Sequence, residues 1–258
     1  MVEQSIRAAQ PRRRPRSLWL WVAGAVAVLS LALTALAAAA GFFDGDPVHV
    51  YGMDGAQHPR IAAAYFSGDM GLRFGMGTHV VPALAARGIP VYGISSPAIF
   101  NRQRSQGEVD ALIARTVRDA LARSRADRLI LMGQSFGSDI VVAGLAALPA
   151  DLRAKIAAVV LVVPGRTAYF RADPSGLRYH GTPDADLAAD ARSIHWAPLI
   201  CIYGQSESES LCPTLIGTPA KVIELPGGHF LRNDHERLVA AILTGLGPVL
   251  QTNSEQAK

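Results

Sequence analysis

Gly133-Gln134-Ser135-Phe136-Gly137 decides the fold of this chain. The five residues follow an apolar run, Arg128-Leu129-Ile130-Leu131-Met132, and open a second one over residues 136–148 that is long enough for a helix. A strand that turns sharply into a helix around a serine needs small residues on both sides, because the backbone there is strained and the chain packs tightly. The serine then stands at a helix N-terminus, which favours negative charge. The same letters would suit a glycine-rich turn capped by a serine. Their place between strand and helix points to Ser135 as a nucleophile.

Apolar strands and helices alternate on either side of this turn. Residues 47–51, 61–66, 89–94, 157–163, 199–203 and 221–225 read as further strands. Residues 80–87, 108–125 and 234–246 carry helical spacing. Ala157-Ala-Val-Val-Leu-Val-Val163 is apolar at every position, as a strand covered on both faces must be. The expected architecture is one α/β domain over residues 46–247, a mainly parallel sheet flanked by helices. Residues 166–197 lack periodicity and are long for a loop, so a small cap over a site is expected there. Residues 248–258 read as a polar tail.

The chain has 258 residues, half of them hydrophobic, with a net charge of +4. Arg7, Arg12, Arg13, Arg14 and Arg16 against Glu3 account for that surplus, and the remainder holds 20 basic and 20 acidic residues. A neutral domain without a basic stripe argues against nucleic-acid binding. No charge occurs between Arg16 and Asp44, and residues 18–40 are almost wholly apolar. Twenty-three helical residues span roughly 34 Å, enough for a hydrocarbon core of about 30 Å. The arginines before the span would stay in the cytoplasm and the domain would lie across the membrane. Ala38-Ala39-Ala40 also offers a signal-peptidase site. The apolar run is longer than a signal peptide's, which favours a retained anchor. Both readings export the domain. Cys201 and Cys212 are then a candidate disulfide. No CxxC or HExxH spacing suggests a metal, and no cofactor is expected.

A serine nucleophile needs a base and an acid, here in the order serine, acid, histidine. His229, in Leu225-Pro-Gly-Gly-His229, follows the last strand, and His235 is the reserve. Glu207 lies three residues after Gly204, with Glu209 as its rival. The cysteines bracket this acidic loop. The N–H of Phe136 and the amides of Gly68 and Asp69 are the expected oxyanion donors. Asp69, Gln134 and Asp139 are candidate substrate-binding residues.

These stretches resemble the VirJ family of exported bacterial virulence proteins, which includes the AcvB proteins. Phe66-Ser-Gly-Asp69 resembles its S-G-D-G-G loop, and Gly133-Gln-Ser-Phe-Gly-Ser-Asp139 its G-Y-S-F-G-A-D turn. Cys201-Ile-Tyr-Gly204 with Glu207, Glu209 and Leu211-Cys-Pro213 is similar to its paired-cysteine segment. The sequence departs from the family pattern at Met70 (glycine), at Gln134 (tyrosine) and at His229, single where a histidine pair is common. The resemblance implies an α/β-hydrolase fold and a serine hydrolase outside the cytoplasm. It also implies a substrate class, aminoacylated membrane lipids such as lysyl-phosphatidylglycerol, and a link to type IV secretion. The expected function is therefore ester hydrolysis at the membrane, with a non-enzymatic accessory factor for secretion components as the alternative.

Overall fold

The computed structural model describes residues 16–53 and 58–255; the basic tail before Arg16 and the last three residues of the polar tail lie outside it. A long helix, α1 (Arg16–Ala39), comes first. Within it Leu18–Ala39 is long and apolar enough to cross a membrane, and none of it is buried by the domain.

The domain opens with β1 (Val48–Tyr51) and β2 (Ile61–Phe66), then α2 (Gly77–Ala85), β3 (Val91–Ile94) and the single turn α3 (Ser96–Ile99). Helix α4 (Gln106–Ser124) starts two residues before the expected Glu108. Ser105 and Glu108 form a reciprocal capping box there, which satisfies two orphan donors. Next come β4 (Arg128–Gln134), α5 (Phe136–Leu145), α6 (Ala150–Arg153) and β5 (Ile156–Val162). After β5, residues 166–197 form a small subdomain packed against α5. It contains a two-stranded ladder, β6 (Thr167–Ala168) with β7 (Ala185–Asp186), a 3₁₀ turn at Leu177–His180 and α7 (Ala188–Ser193). The chain closes with β8 (Leu199–Gly204), β9 (Lys221–Leu225) and α8 (His235–Glu255).

The main sheet runs β1-β3-β2-β4-β5-β8-β9. Only β1 is antiparallel to its neighbour. Alternation along each strand feeds two cores. Phe66, Leu129, Leu131, Val159 and Leu161 point to the face covered by α4 and α5. Tyr65, Ile130, Met132, Val160 and Val162 point to the face covered by α2 and α8. The chain moves outward from β2 to β3, then returns past β2 to β4. Such a reversal opens a crevice at the carboxyl ends of the strands.

Helix α8 runs beyond Leu246, where the sequence suggested its end, through Pro248. A proline there removes the donor that Thr244 O would receive. Lys221 Nζ supplies one instead, at 3.1 Å. Val249 and Leu250 pack against the core, so burial favours continuing the helix.

Candidate active site

Five loops leave the carboxyl edge of the sheet and meet around Ser135. The serine follows β4 directly and adopts φ 51°, ψ −127°, a conformation that costs a non-glycine residue about 1–3 kcal/mol. The surroundings hold it there. Ser135 N–H donates to Val162 O at 2.8 Å, and the Ser138 hydroxyl both donates to Val162 O and accepts from Val162 N at 3.0 Å. Both flanking glycines are required by contact. A Cβ on Gly133 would fall 2.5 Å from Gly137 O, and one on Gly137 would fall 2.3 Å from Phe66 O.

The structure brings Ser135, His229 and Glu207 into one line. Ser135 Oγ lies 2.7 Å from His229 Nε2. His229 Nδ1 lies 2.5 Å from Glu207 Oε1. A carboxylate only accepts, so the ring proton sits on Nδ1 and Nε2 is left free to take the serine proton. Glu207 N–H closes a turn onto Gly204 O, and Ser206 N–H donates to Gly227 O at 2.9 Å, joining the acid's loop to the histidine's. Cys201 and Cys212 form a disulfide that closes the ring containing Glu207. Glu209 is exposed on the cavity wall, and its carbonyl accepts from Arg166 N–H. His235 stacks on His79 with ring centroids 3.9 Å apart and borders the same cavity as Ser135. Burial and the neighbouring His79 lower its pKa.

Phe136 is the first residue of α5, so its N–H has no intrahelical acceptor. Gly68 lies across from it, its Cβ position 3.7 Å from Ser135 Cβ. Ser96 fixes that loop by donating its hydroxyl to Ser67 O at 2.6 Å and its N–H to Ser67 Oγ at 2.9 Å.

The three candidate substrate-binding residues all border a cavity of about 760 Å³. Gln134 is also a structural link, accepting from the buried Tyr65 hydroxyl at 2.6 Å. Asp69 accepts from the Tyr179 hydroxyl at 3.1 Å. Asp139 accepts from Gly165 N–H at 2.8 Å. Burial pushes both carboxyls up; the Tyr179 bond pulls Asp69 back, while the nearby Glu207 and Asp69 add to the rise at Asp139. Tyr65 and Tyr179 had no signal in the sequence. Their partners lie 69 and 110 residues away.

The sheet order, the serine at the β4–α5 turn and the histidine and acid after late strands define an α/β-hydrolase fold. Solved structures share it. The thioesterase domain from the curacin biosynthetic pathway is 19% identical, with 76% of this chain and 94% of that one covered and a TM-score of 0.52. Est1E from Butyrivibrio proteoclasticus is 12% identical (78% and 94% covered, TM-score 0.54). The Pyrococcus furiosus esterase Pf2001 is 14% identical (74% and 83% covered, TM-score 0.51). No curated protein matches the chain. Residues 60–249 match the family described as bacterial virulence protein (VirJ), and the chain belongs to that family.

Proposed function

We propose that this protein is a membrane-anchored serine ester hydrolase that cleaves an aminoacyl ester from a lipid head group, lysyl-phosphatidylglycerol being the candidate substrate. The continuous line from Ser135 through His229 to Glu207 carries the reading. Ser135 Oγ attacks the ester carbonyl carbon while His229 Nε2 takes its proton. The oxyanion rests on the Phe136 N–H and on the amides at Gly68 and Asp69. His229 returns the proton to the departing head-group oxygen, leaving an aminoacyl ester on Ser135. Water attacks that ester with His229 again as base, and the free amino acid leaves. Glu207 holds the imidazole tautomer and stabilises its charged form.

Asp69, Asp139 and Glu209 border the same cavity and suit the ammonium groups of a lysyl ester. Helix α1 serves as a retained anchor in the inner membrane, with the domain in the periplasm. The disulfide supports an oxidising compartment.

The test is labelling of the full chain and of Ser135→Ala with a fluorophosphonate that traps activated serines. Labelling of the wild type alone supports the reading, and release of lysine from lysyl-phosphatidylglycerol vesicles then tests the substrate. A folded wild type that stays unlabelled overturns it and directs attention to binding of type IV secretion components.

A further inference from the structure

Helix α1 is fastened to the domain at its exit. Gly41, at φ +90°, closes it: Gly41 N–H donates to Ala38 O at 3.1 Å and Phe42 N–H to Ala37 O at 3.0 Å, the two bonds of a Schellman cap. The chain then enters the domain at once. Ala40 is 2% exposed, and its carbonyl oxygen would lie 2.3 Å from a Cβ on Gly71. Phe42 packs against the core, and Asn101 Nδ2 donates to its carbonyl at 3.2 Å. Asp44 pairs with Arg73 at 3.2 Å. Gly71 itself borders the cavity of Ser135. The end of a 22-residue apolar span is thus seated on the loop beside the candidate nucleophile.

Large apolar side chains surround this exit and the cavity mouth. Phe43 is 68% exposed, Phe74 39%, Leu177 75% and Phe230 70%. Phe74 and Phe230 border the cavity, as does Gly176, the neighbour of Leu177. Three of the four tips have an exposed arginine close by in the chain: Arg73 before Phe74, Arg178 after Leu177, and Arg232 two residues after Phe230. Apolar tips beside arginines are a poor match for water and a good match for an anionic bilayer surface. There the rings reach the acyl boundary and the guanidinium groups meet phosphates.

We propose that this rim rests on the anionic leaflet that α1 enters, so that the cavity opens directly onto lipid head groups; the proposal rests on the reading of α1 as a retained anchor. Continuity with α1 selects the bilayer as the occupant. A peptide or a second copy of the chain has no such link to the rim.

The experiment uses the full chain reconstituted in vesicles of phosphatidylglycerol and acyl-brominated phosphatidylcholine. Trp19→Phe and Trp21→Phe remove the indoles of α1, and Leu177→Trp adds one at the rim. Trp196, just before β8 at the opposite edge of the sheet, is the internal control. Phe43→Trp is the second reporter should the first variant fold poorly. Bromine is expected to quench the rim indole and spare Trp196, with quenching lost when phosphatidylglycerol is replaced by phosphatidylcholine. Alkaline carbonate extraction separates the two claims. An unquenched rim indole on protein that resists extraction overturns the seating and leaves the anchor standing. Release by carbonate overturns the anchor and, with it, the seating. A rim indole protected by chemical cross-linking into dimers, and unquenched, assigns the surface to a second copy instead.

Discussion

Tyr179 donates its hydroxyl to Asp69 across the cavity and accepts from Asp173 N–H at 2.8 Å, so the subdomain after β5 is latched to the loop after β2. Tyr179→Phe removes both bonds. A hydrogen bond contributes about 0.5–1.5 kcal/mol, two are lost, and a domain of this size shifts by about 2–4 °C per kcal/mol. Calorimetry should show Tm lower by several degrees. Asp69 loses the hydrogen bond that most opposes its rise in pKa, so KM for a cationic aminoacyl ester should increase more than KM for a neutral one. Equal changes for the two esters would remove Asp69 from ammonium recognition.

The two glutamates can be told apart by kinetics. Glu207→Gln should lower kcat on the order of 10²- to 10⁴-fold, because the imidazole loses its charged partner and its fixed tautomer. Glu209→Gln should leave kcat close to wild type, since its side chain is exposed. A larger loss from Glu209→Gln would reverse the assignment.

Asp139 supplies a pH test. Its carboxyl pKa is raised well above the ordinary value, first by burial. A folded-state pKa above the unfolded one means that the folded chain holds the proton more tightly. That contribution to stability is full below the ordinary carboxylate pKa and fades as pH rises towards the raised value. Asp139→Asn keeps an oxygen for Gly165 N–H and carries no charge. It should therefore gain Tm over wild type at neutral pH, and the gain should shrink as pH falls. A gain that is constant from neutral to acid pH would sink this account.

Removing the disulfide should act on stability and rate together. In the chain-entropy view, closing this ring contributes about 3 kcal/mol, or roughly 6–12 °C in Tm. The double replacement Cys201→Ala with Cys212→Ala should lose that much. It should also lower kcat at temperatures where the chain is still folded, because Glu207 lies inside the ring. Unchanged kcat with lowered Tm would make the disulfide a support for the fold alone.

Much of the strand order's raw material was legible in the sequence. Strands covered on both faces read as unbroken apolar runs, and β2, β4, β5 and β8 are buried along nearly their whole length. Ser135, His229 and the acidic pair Glu207 and Glu209 were legible because each sits just after a recognisable strand. The rest depended on distant partners. Helix α8 outran its expected end because Val249 and Leu250 pack against the core, while Lys221, on β9, donates to the carbonyl that Pro248 leaves without a helical donor. Tyr179 lies in a segment without periodicity, and only the folded chain brings it to Asp69. The choice between Glu207 and Glu209 turned on loop curvature, which two residues of spacing do not encode.

The turn at Ser135 is a joint with no adjustable part. Gly137 meets the backbone of Phe66, Gly133 meets the backbone of α5, and neither contact involves a side chain that could be exchanged for another shape. Replacing either glycine would displace Ser135 Oγ itself. The opposite wall includes Met70, Phe74 and Phe230, side chains on loops. Change in what this scaffold accepts is therefore free to accumulate on one wall of the cavity, while the other wall keeps the same chemistry in register.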